Sequence, residues 1–410
     1  MSAYTGWLIR RKRMELNYSQ EGLAKGICAV SYLSKIEQGL VEPGQEILDR
    51  LFDALGIDFV RDPVLEKEAQ AQLDRFFFLF EADEPYDEQR AFFEKHGERL
   101  ACSEFALSYQ VYRLISEASV EDAEQPCAML AQLEPFMHCL PARLAQWVLI
   151  VRAEYEENPE DEWAVLCEAA RLRSCCVATY KLAVCAYRRG QYSLCAELAE
   201  RAYSEAAYEG NPATMIWSCH TLGACACNRH DMEQAVRYYE RVRALTRGYR
   251  IDMGSYIDYN LGSSYLEMGR DEDALRYLER AREVDGDVLH NTLLHQKKSI
   301  LYHRLGRREE AQAQLALAQA CFDQREWPAW RRPELIGQML GFARLLLDGM
   351  ENTEAFERIT RALYNDAGTW FGHGFRRFYG SYLVQLCKAQ RRYKEALALS
   401  EEMAEAEMFF

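Results

Sequence analysis

The sequence predicts an all-α protein: a small head of four helices at residues 1–60, followed by a long array of helical repeats at residues 61–410. Three observations support this. Only 10 prolines occur in 410 residues, which favours long helices over a fold rich in turns. Apolar residues recur at helical spacing in the head. A pattern the size of a helical hairpin recurs along the body.

The composition indicates a folded protein in a reducing compartment. Hydrophobic residues make up 49% and aromatic residues 12%, which argues against disorder. The 14 cysteines are scattered through helical patterns and do not resemble a disulfide framework. We see no secretion signal, and no apolar run approaches the roughly 20 residues of a membrane helix. We therefore expect a cytoplasmic protein that has no contact with a membrane.

The charge is distributed unevenly along the chain. The formal net charge is −15, of which the head carries −1 and the body −14. Four consecutive basic residues, Arg10 to Arg13, lie in the first predicted helix. An acidic body would repel DNA and confine any contact to the head.

The head has the pattern of a helix-turn-helix. We expect helices at about 4–16, 19–25 and 29–38, and a fourth between Gly44 and Gly56. Ser19 is the expected N-cap of the second helix, and Gly39 ends the third. Gly26-Ile27-Cys28 forms the tight turn between the second and third helices. In such a motif the third helix enters the major groove of double-stranded DNA.

The motifs at 19–24 (Ser-Gln-Glu-Gly-Leu-Ala), 32–39 (Tyr-Leu-Ser-Lys-Ile-Glu-Gln-Gly) and 54–57 (Ala-Leu-Gly-Ile) carry a family resemblance. Over nearly the whole head, the sequence resembles the lambda-repressor-like (Xre) DNA-binding family. The resemblance implies a set of DNA-contacting residues on the first three helices: Arg10, Arg11, Gln20, Ala29, Val30, Ser31, Tyr32 and Lys35. It also implies an internal ion pair between Arg13 and Glu37.

The implied contacts differ in kind. Gln20 would touch a backbone phosphate, while Val30, Ser31 and Lys35 would face the bases. Arg10 and Arg11 are either phosphate contacts or part of a solvated face. The apolar pair Ala29-Val30 could read only a thymine methyl group or the shape of the groove.

The body contains an internal repeat that is similar to the tetratricopeptide (TPR) pattern. Small residues that anchor the second helix of each unit recur at steps of 39, 37, 44 and 41: Ala235, Ala274, Ala311, Ala355 and Ala396. The ideal period is about 34, and the longer steps overlap the range of HEAT repeats. Leu-Gly pairs at 222–223 and 261–262 would let the two helices of a unit approach closely.

In a TPR array the first helix of each unit lines a concave groove. The repeat register predicts inward-facing candidates for ligand contact: Tyr180, Tyr187, Trp217, His220, Asn228, Tyr256, Tyr259, Ser263 and Gln296. The same register places Ala224, Cys227 and Glu267 on this face. Aromatic anchors mixed with amide groups suit an extended peptide. The alternative is that these aromatic side chains form the core between repeats.

A head of this type followed by TPR-like repeats resembles the peptide-pheromone-responsive (RRNPP) regulators of Gram-positive bacteria, of the PlcR and Rgg type. The resemblance implies a homodimer, a two-fold-symmetric DNA operator and a short linear peptide as ligand. It also implies that Asn260, within Tyr-Asn-Leu-Gly at 259–262, holds the peptide backbone. The alternative is that Asn260 bonds within its own hairpin.

Three other hypotheses remain open. The repeats could bind a protein partner or a small molecule, or the chain could be a TPR scaffold whose head has lost DNA affinity. A thiol or metal sensor is suggested by one cluster, Cys219, His220, Cys225, Cys227 and His230. Buried packing explains the cysteines better, so we expect no metal and no cofactor. No enzyme motif is present.

The candidate dimer contacts are aromatic residues near the C-terminal end of the sequence: Phe371, Phe375, Phe378, Phe409 and Phe410.

Overall fold

The computed structural model describes residues 3–118, 126–156, 158–247, 252–324, 327, 332–371 and 373–408. Within these ranges all regular secondary structure is helical. The chain divides into two compact units, Met1–Ala178 and Thr179–Phe410. None of the described helices is both long enough and apolar enough to cross a membrane.

The first unit holds the head and the helices that follow it. Its α-helices are α1 Ala3–Glu15, α2 Gln20–Ala24, α3 Val30–Glu37, α4 Gln45–Leu55, α5 Pro63–Glu81, α6 Asp87–Leu100, α7 Ala106–Ala118, α8 Pro126–Leu133, α9 Ala142–Glu154 and α10 Pro159–Leu172. A 3₁₀ helix, Glu134–Cys139, separates α8 from α9.

The head forms the predicted four helices, and each ends within one or two residues of its expected boundary. Ser19 caps α2, because its Oγ accepts a hydrogen bond from the Gly22 amide at 2.9 Å. Gly56 ends α4 with a φ of 61°, a left-handed conformation that glycine adopts without a steric penalty. Leu33, Ile36 and Leu51 are fully buried in the small core between the helices.

The head packs against the rest of the first unit. The Tyr4 hydroxyl donates a hydrogen bond to Glu104 Oε1 at 3.0 Å, and the Val60 amide donates to the Cys102 carbonyl at 2.9 Å. Asp62 caps α5 through the Leu65 amide and also pairs with Arg99. Hydrogen bonds therefore hold the short junction between the head and α5 in place, and the two are not joined by a flexible linker.

The second unit is a series of helical hairpins. Its helices are α11 Cys176–Arg188, which begins before the unit boundary, α12 Tyr192–Glu209, α13 Pro212–Asn228, α14 Met232–Leu245, α15 Gly254–Glu267, α16 Asp271–Arg280, α17 Val288–Arg304, α18 Arg308–Phe322, α19 Pro333–Leu347, α20 Glu354–Phe371, α21 His373–Ala389 and α22 Tyr393–Met408. An odd-numbered helix and the even-numbered helix after it form one hairpin.

Glycines in two hairpins allow the close approach that the Leu-Gly pairs predicted. A Cβ added at Gly223 would lie 2.6 Å from the Tyr239 ring of the partner helix. One added at Gly262 would lie 2.6 Å from Leu278 Cγ and 3.1 Å from its backbone nitrogen. The predicted anchors Ala235, Ala274, Ala311 and Ala396 are buried in the second helices of their hairpins.

The anchor predicted at Ala355 is wrong. Ala355 is half-buried, and the neighbouring Phe356 is the buried residue. The Phe356 ring packs 5.1 Å from that of Phe342, between centroids. The hairpin of α19 and α20 therefore accommodates a large side chain where the other hairpins have alanine, which moves its register by one residue.

We expect Gly262→Ala to destabilise the second unit by about 1–3 kcal/mol, because overpacking outweighs the gain of up to about 1 kcal/mol in helix propensity. Gly337→Ala, in α19, is the matched control, since no atom lies within 4 Å of its added Cβ. This control is expected to be neutral or stabilising. Thermal unfolding of both variants measures the difference. Equal melting temperatures would contradict the close approach at Gly262.

Candidate functional sites

The first candidate site is the exposed face at the start of α3. Ala29, Val30, Ser31 and Lys35 are exposed, while Tyr32 is half-buried against the head core. Val30 is 42% exposed, so its apolar side chain is accessible to a partner. This face is therefore free to meet DNA at the end of α3 that the motif directs into the major groove.

An ion pair holds α1 to α3. Arg13 Nε and Nη2 donate to the two oxygens of Glu37, at 2.5 and 2.9 Å. The Gln20 amide donates to Glu37 Oε2 at 2.7 Å, so α2 joins the same carboxylate. Glu37 is 2% exposed, and this bonding balances its buried charge. The expected pair between Arg13 and Glu37 is present, and Gln20 belongs to it in the free protein.

The basic run of α1 is partly engaged within the helix. Arg11 donates to Glu15 Oε1 at 2.8 Å and lies over the Trp7 ring at 5.2 Å from its centroid. Arg10 is half-buried. The phosphate contacts expected for Arg10, Arg11 and Gln20 remain predictions, and Gln20 would have to rearrange or share its amide to make one.

The second candidate site is a cavity inside the second unit. Its interior volume is about 80 Å³. The lining residues come from α11, α13, α14, α15, α17 and α21: Tyr187, Ala224, Cys227, Asn228, Tyr239, Tyr259, Asn260, Ser263, Ser264, Glu267, Lys297, Gly374, Phe375 and Phe378. A space of this size accommodates one functional group of a ligand and not a whole ligand.

Much of the predicted inner face lines this cavity. Five of the predicted ligand contacts are on its wall: Tyr187, Asn228, Tyr259, Asn260 and Ser263. Ala224, Cys227 and Glu267, expected on the same face, are there as well. The repeat register therefore identified the face of α13 and α15 correctly, although their role in binding a ligand remains a prediction.

Other predicted contacts lie near the cavity without lining it. The His220 ring is bonded to Asn260, and Trp217 packs against the core with its ring 6.0 Å from that of His220. The Tyr180 hydroxyl accepts a weak hydrogen bond from Thr221 at 3.5 Å. These residues continue the same helix faces toward the N-terminal end of the unit.

Two predicted contacts lie away from the cavity. Tyr256 donates from its hydroxyl to Asp287 Oδ2 at 2.8 Å and packs on the His290 ring. Gln296 is fully buried and donates from Nε2 to the Met339 carbonyl at 3.4 Å. On α17 the side chain that reaches the cavity is that of the next residue, Lys297.

Polar pairs join the first helices of successive hairpins. Asn228 Nδ2 donates to the Tyr187 hydroxyl at 2.8 Å, across 41 residues. Asn260 Nδ2 and His220 Nε2 lie 3.1 Å apart, across 40 residues. These separations match the length of one repeat, so the same kind of bond recurs along the inner face.

Asn260 donates hydrogen bonds within the fold through Nδ2, and its Oδ1 is an acceptor that no described residue uses. Burial lowers the pKa of His220 to about 4, so its ring is neutral and Nε2 accepts the Asn260 hydrogen bond. Asn260 Nδ2 also donates to the Tyr239 hydroxyl at 3.1 Å. No described residue donates to Asn260 Oδ1, which leaves this oxygen for a donor on a ligand, such as a peptide N–H.

Helix α21 forms one wall of the cavity. Arg377, 6% exposed, donates from Nε to Glu267 Oε1 at 2.7 Å and from Nη1 to the Asn228 carbonyl at 2.5 Å. Phe378 is 3% exposed and Phe375 is packed against the core, so neither is the exposed dimer contact that was expected. The Phe371 side chain and residues 409–410 lie outside the described part of the chain.

Two ionisable side chains, Glu267 and Lys297, line the cavity. Burial raises the pKa of Glu267, but its bonds to His230 and Arg377 outweigh this effect and hold it below the ordinary value. Lys297 is 3% exposed, and burial lowers its pKa to about 7 even though Glu267 is near. Sequence analysis missed Lys297, for which the only signal was a lysine within an apolar helix.

The cysteines and histidines of the 219–230 cluster separate in space. Cys219 lies in the core, Cys225 Sγ is 3.3 Å from Cys195 Sγ, and Cys227 lines the cavity. Burial raises the pKa of Cys219 and of Cys227 to about 11, which disfavours the reactive thiolate. These positions favour the packing interpretation of the cysteines over a metal or thiol sensor.

Another group of potential ligands lies elsewhere in the second unit. Ligand atoms of Glu283, His295 and Cys321 lie within 4.8 Å of one another. The two His295 ring nitrogens are 2.7 Å from Gln314 Oε1 and 2.8 Å from Glu283 Oε1. Because both nitrogens already have protein partners, the group is satisfied without an ion.

Comparison with known sequences identifies one domain. The helix-turn-helix family matches residues 9–61. The head is a helix-turn-helix domain. It is of the Xre type, as its motifs indicated. No curated protein matches the sequence.

Comparison with solved structures gives the fold of most of the chain. The apo form of the quorum sensor NprR from B. thuringiensis aligns with a TM-score of 0.61 and 13% identity, over 84% of this chain and 99% of that one. A Rap protein complexed with competence and sporulation factor gives 0.65 and 12%, over 83% and 98%. These likenesses confirm an all-α, TPR-like fold behind the helix-turn-helix domain. Aspartyl phosphate phosphatase F from Bacillus subtilis scores 0.41 and supports no conclusion.

We expect Lys297→Met to raise the melting temperature, because it removes a buried charge. The unfolded chain keeps the lysine proton up to about pH 10.5, whereas the folded protein loses it near pH 7. Between these values the unfolded state binds more protons, so wild-type stability rises with pH. The gain from Lys297→Met is therefore largest at and below pH 7 and decreases toward pH 10. Each pKa unit corresponds to about 1.4 kcal/mol.

Thermal unfolding of both proteins from pH 6 to pH 10 measures this effect. Lys388→Met, at an exposed position of α21, is the matched control and should change stability by less than about 0.5 kcal/mol. A lower melting temperature for Lys297→Met at pH 6 would contradict an uncompensated charge at this position.

Proposed function

We propose that the protein is a sequence-specific DNA-binding transcription regulator whose repeat domain senses a short signalling peptide. Residues 1–60 bind DNA, and residues 61–410 bind the ligand and form a homodimer that presents paired heads. The observation that carries the proposal is the pairing, in one chain, of a helix-turn-helix domain with a TPR-like array that has a polar cavity on the inner face of its hairpins.

The head supports direct DNA contact through its exposed residues. Ser31 and Lys35 offer hydrogen-bonding and charged groups on the free face of α3, and Ala29 and Val30 offer apolar contacts to thymine. The bonds of Arg13 and Gln20 to Glu37 fix α3 against α1 and α2. A recognition helix held in this way enters the groove without losing much conformational entropy.

The cavity supports recognition of a peptide. Asn260 offers an unused carbonyl oxygen, while Tyr259 and Ser263 carry buried hydroxyls that, apart from each other, have no hydrogen-bond partner among the described residues. A peptide backbone alternates donors and acceptors and can satisfy such groups in series. The ligand acts on DNA binding only through its different affinities for two arrangements of the protein.

We place the protein in the cytoplasm and assign it no catalytic activity. All 14 cysteines are free thiols, as a reducing compartment requires. The groups around the cavity form bonds within the fold and do not form a nucleophile paired with a base. The second candidate function is a regulator whose repeats bind a small molecule, one group of which would occupy the cavity.

Selection of genomic DNA fragments by the purified protein tests the proposal. We expect enrichment of a short two-fold-symmetric site whose half-sites lie about 34–36 Å apart, or a multiple of this. The double variant Ser31→Ala/Lys35→Ala should lose this enrichment. Lys67→Ala, which removes an exposed lysine of α5, controls for the change in charge and should retain it.

Each outcome separates the hypotheses. An asymmetric site lost in the double variant would support DNA recognition and contradict paired heads. Equal enrichment by the double variant would show that α3 does not read the bases. If no fragment is enriched at low salt with culture-derived peptides added, direct DNA binding is refuted and a protein-binding scaffold becomes the leading interpretation.

A further inference from the structure

The cavity contains a cation that the protein leaves without an anion of its own. Lys297 Nζ lies 3.4 Å from the centroid of the Phe378 ring and 5.0 Å from that of Phe375. Aromatic faces attract a cation, but they accept none of the three hydrogen bonds that an ammonium group donates. No described residue accepts a hydrogen bond from Nζ. The ammonium group is therefore held in place without being fully satisfied.

The carboxylate nearest to Lys297 is already in use. Among the described lining residues, Glu267 is the one carboxylate. It accepts a hydrogen bond from Arg377 Nε at 2.7 Å and lies 3.4 Å from His230 Nε2. Arg377 neutralises its charge, so Lys297, when protonated, has no anion of its own among the described lining residues.

Neutral donors surround the same space. The hydroxyls of Tyr259 and Ser263 line the cavity from α15, four residues apart and so on one face of the helix. Both hydroxyl oxygens are buried, and apart from each other they have no hydrogen-bond partner among the described residues. Buried hydroxyls normally have partners. Together with Lys297 they provide more donors than the protein itself uses.

We propose that the cavity binds a carboxylate of the ligand, with Lys297 as its ionic partner and the Tyr259 and Ser263 hydroxyls as hydrogen-bond donors. The inference rests on the proposed peptide-sensing function and names the ligand chemistry at this position. One carboxylate balances the single unpaired charge, whereas a phosphate dianion would leave an excess of negative charge. The carboxylate belongs either to the C-terminus of a peptide or to an aspartate or glutamate side chain.

Four pools of synthetic random hexapeptides distinguish these sources. The pools have either a free or an amidated C-terminus, and either include or omit Asp and Glu. Each pool is incubated with the full-length protein, and the peptides retained after size-exclusion chromatography are counted by mass spectrometry. The wild type is compared with Lys297→Met and with Lys298→Met. The latter removes the next lysine of α17, whose Nζ donates to the Ala281 carbonyl.

We expect the wild type and Lys298→Met to retain peptides with a carboxylate at least about tenfold better than the amidated pool without Asp and Glu. Lys297→Met should lose this preference. Preference for the free C-terminus in the pools without Asp and Glu would assign the carboxylate to the peptide end. Preference for Asp and Glu in the amidated pools would assign it to a side chain.

Two outcomes would overturn the inference in different ways. Retention that is equal in all four pools, and unchanged in Lys297→Met, would refute the carboxylate site and leave peptide binding intact. If no protein retains a peptide from any pool, both the carboxylate site and the peptide-sensing function are refuted. A melting curve of each variant establishes that the proteins compared are folded.

Discussion

The hydrogen bonds of Arg377 hold together the helices that line the cavity of the second unit, and the other features of this site depend on them. This side chain joins α21 to the C-terminal ends of α13 and α15, across about 150 residues of sequence, through the Asn228 carbonyl and Glu267. Its guanidinium group is almost fully buried, so the loss of Glu267 would leave an uncompensated charge and cost several kcal/mol. A planar guanidinium can hold both acceptors at once, which lysine cannot do.

Because Arg377 fixes α21, it also fixes the aromatic wall. Phe375 and Phe378 lie within one turn of Arg377 and are thereby placed against Lys297. Gly374 faces Asn228 so closely that an added Cβ would lie 2.9 Å from its Oδ1. Successive repeats thus line one part of the cavity, and α21 lines another. The repeating geometry of the hairpin array explains only the part of the lining that successive repeats supply.

This division explains how much of the structure the sequence could predict. The head follows from local signals: Ser19 as a cap, and Gly39 and Gly56 as helix ends, each of which acts over a few residues. The inner face of α13 and α15 follows from their shared Leu-Gly register. These features depend on interactions within one hairpin or between neighbouring hairpins, which a periodic sequence records.

The register fails on α17. Between α16 and α17 seven residues intervene, and on α17 the side chain at the cavity is Lys297, one position after the predicted Gln296. One residue corresponds to a rotation of about 100° around a helix, so Gln296 turns into the core. Likewise, nothing in the local sequence of α21 reveals that Arg377 contacts Asn228, because that contact depends on the accumulated geometry of the intervening hairpins.

Under the proposed function, the position of Lys297 would also give the ligand a means of shifting the protein between two arrangements. A buried charge without an anion destabilises the arrangement in which α21 closes over the cavity. A ligand carboxylate at Lys297 removes this penalty only while Phe375 and Phe378 hold the ammonium group in place. Under the proposed function, the ligand would therefore have a higher affinity for an arrangement with α21 over the cavity than for one in which α21 has moved away, and such a difference is what a ligand-driven population shift requires. A methionine at this position would stabilise the closed arrangement without a ligand, whereas lysine makes its stability depend on one.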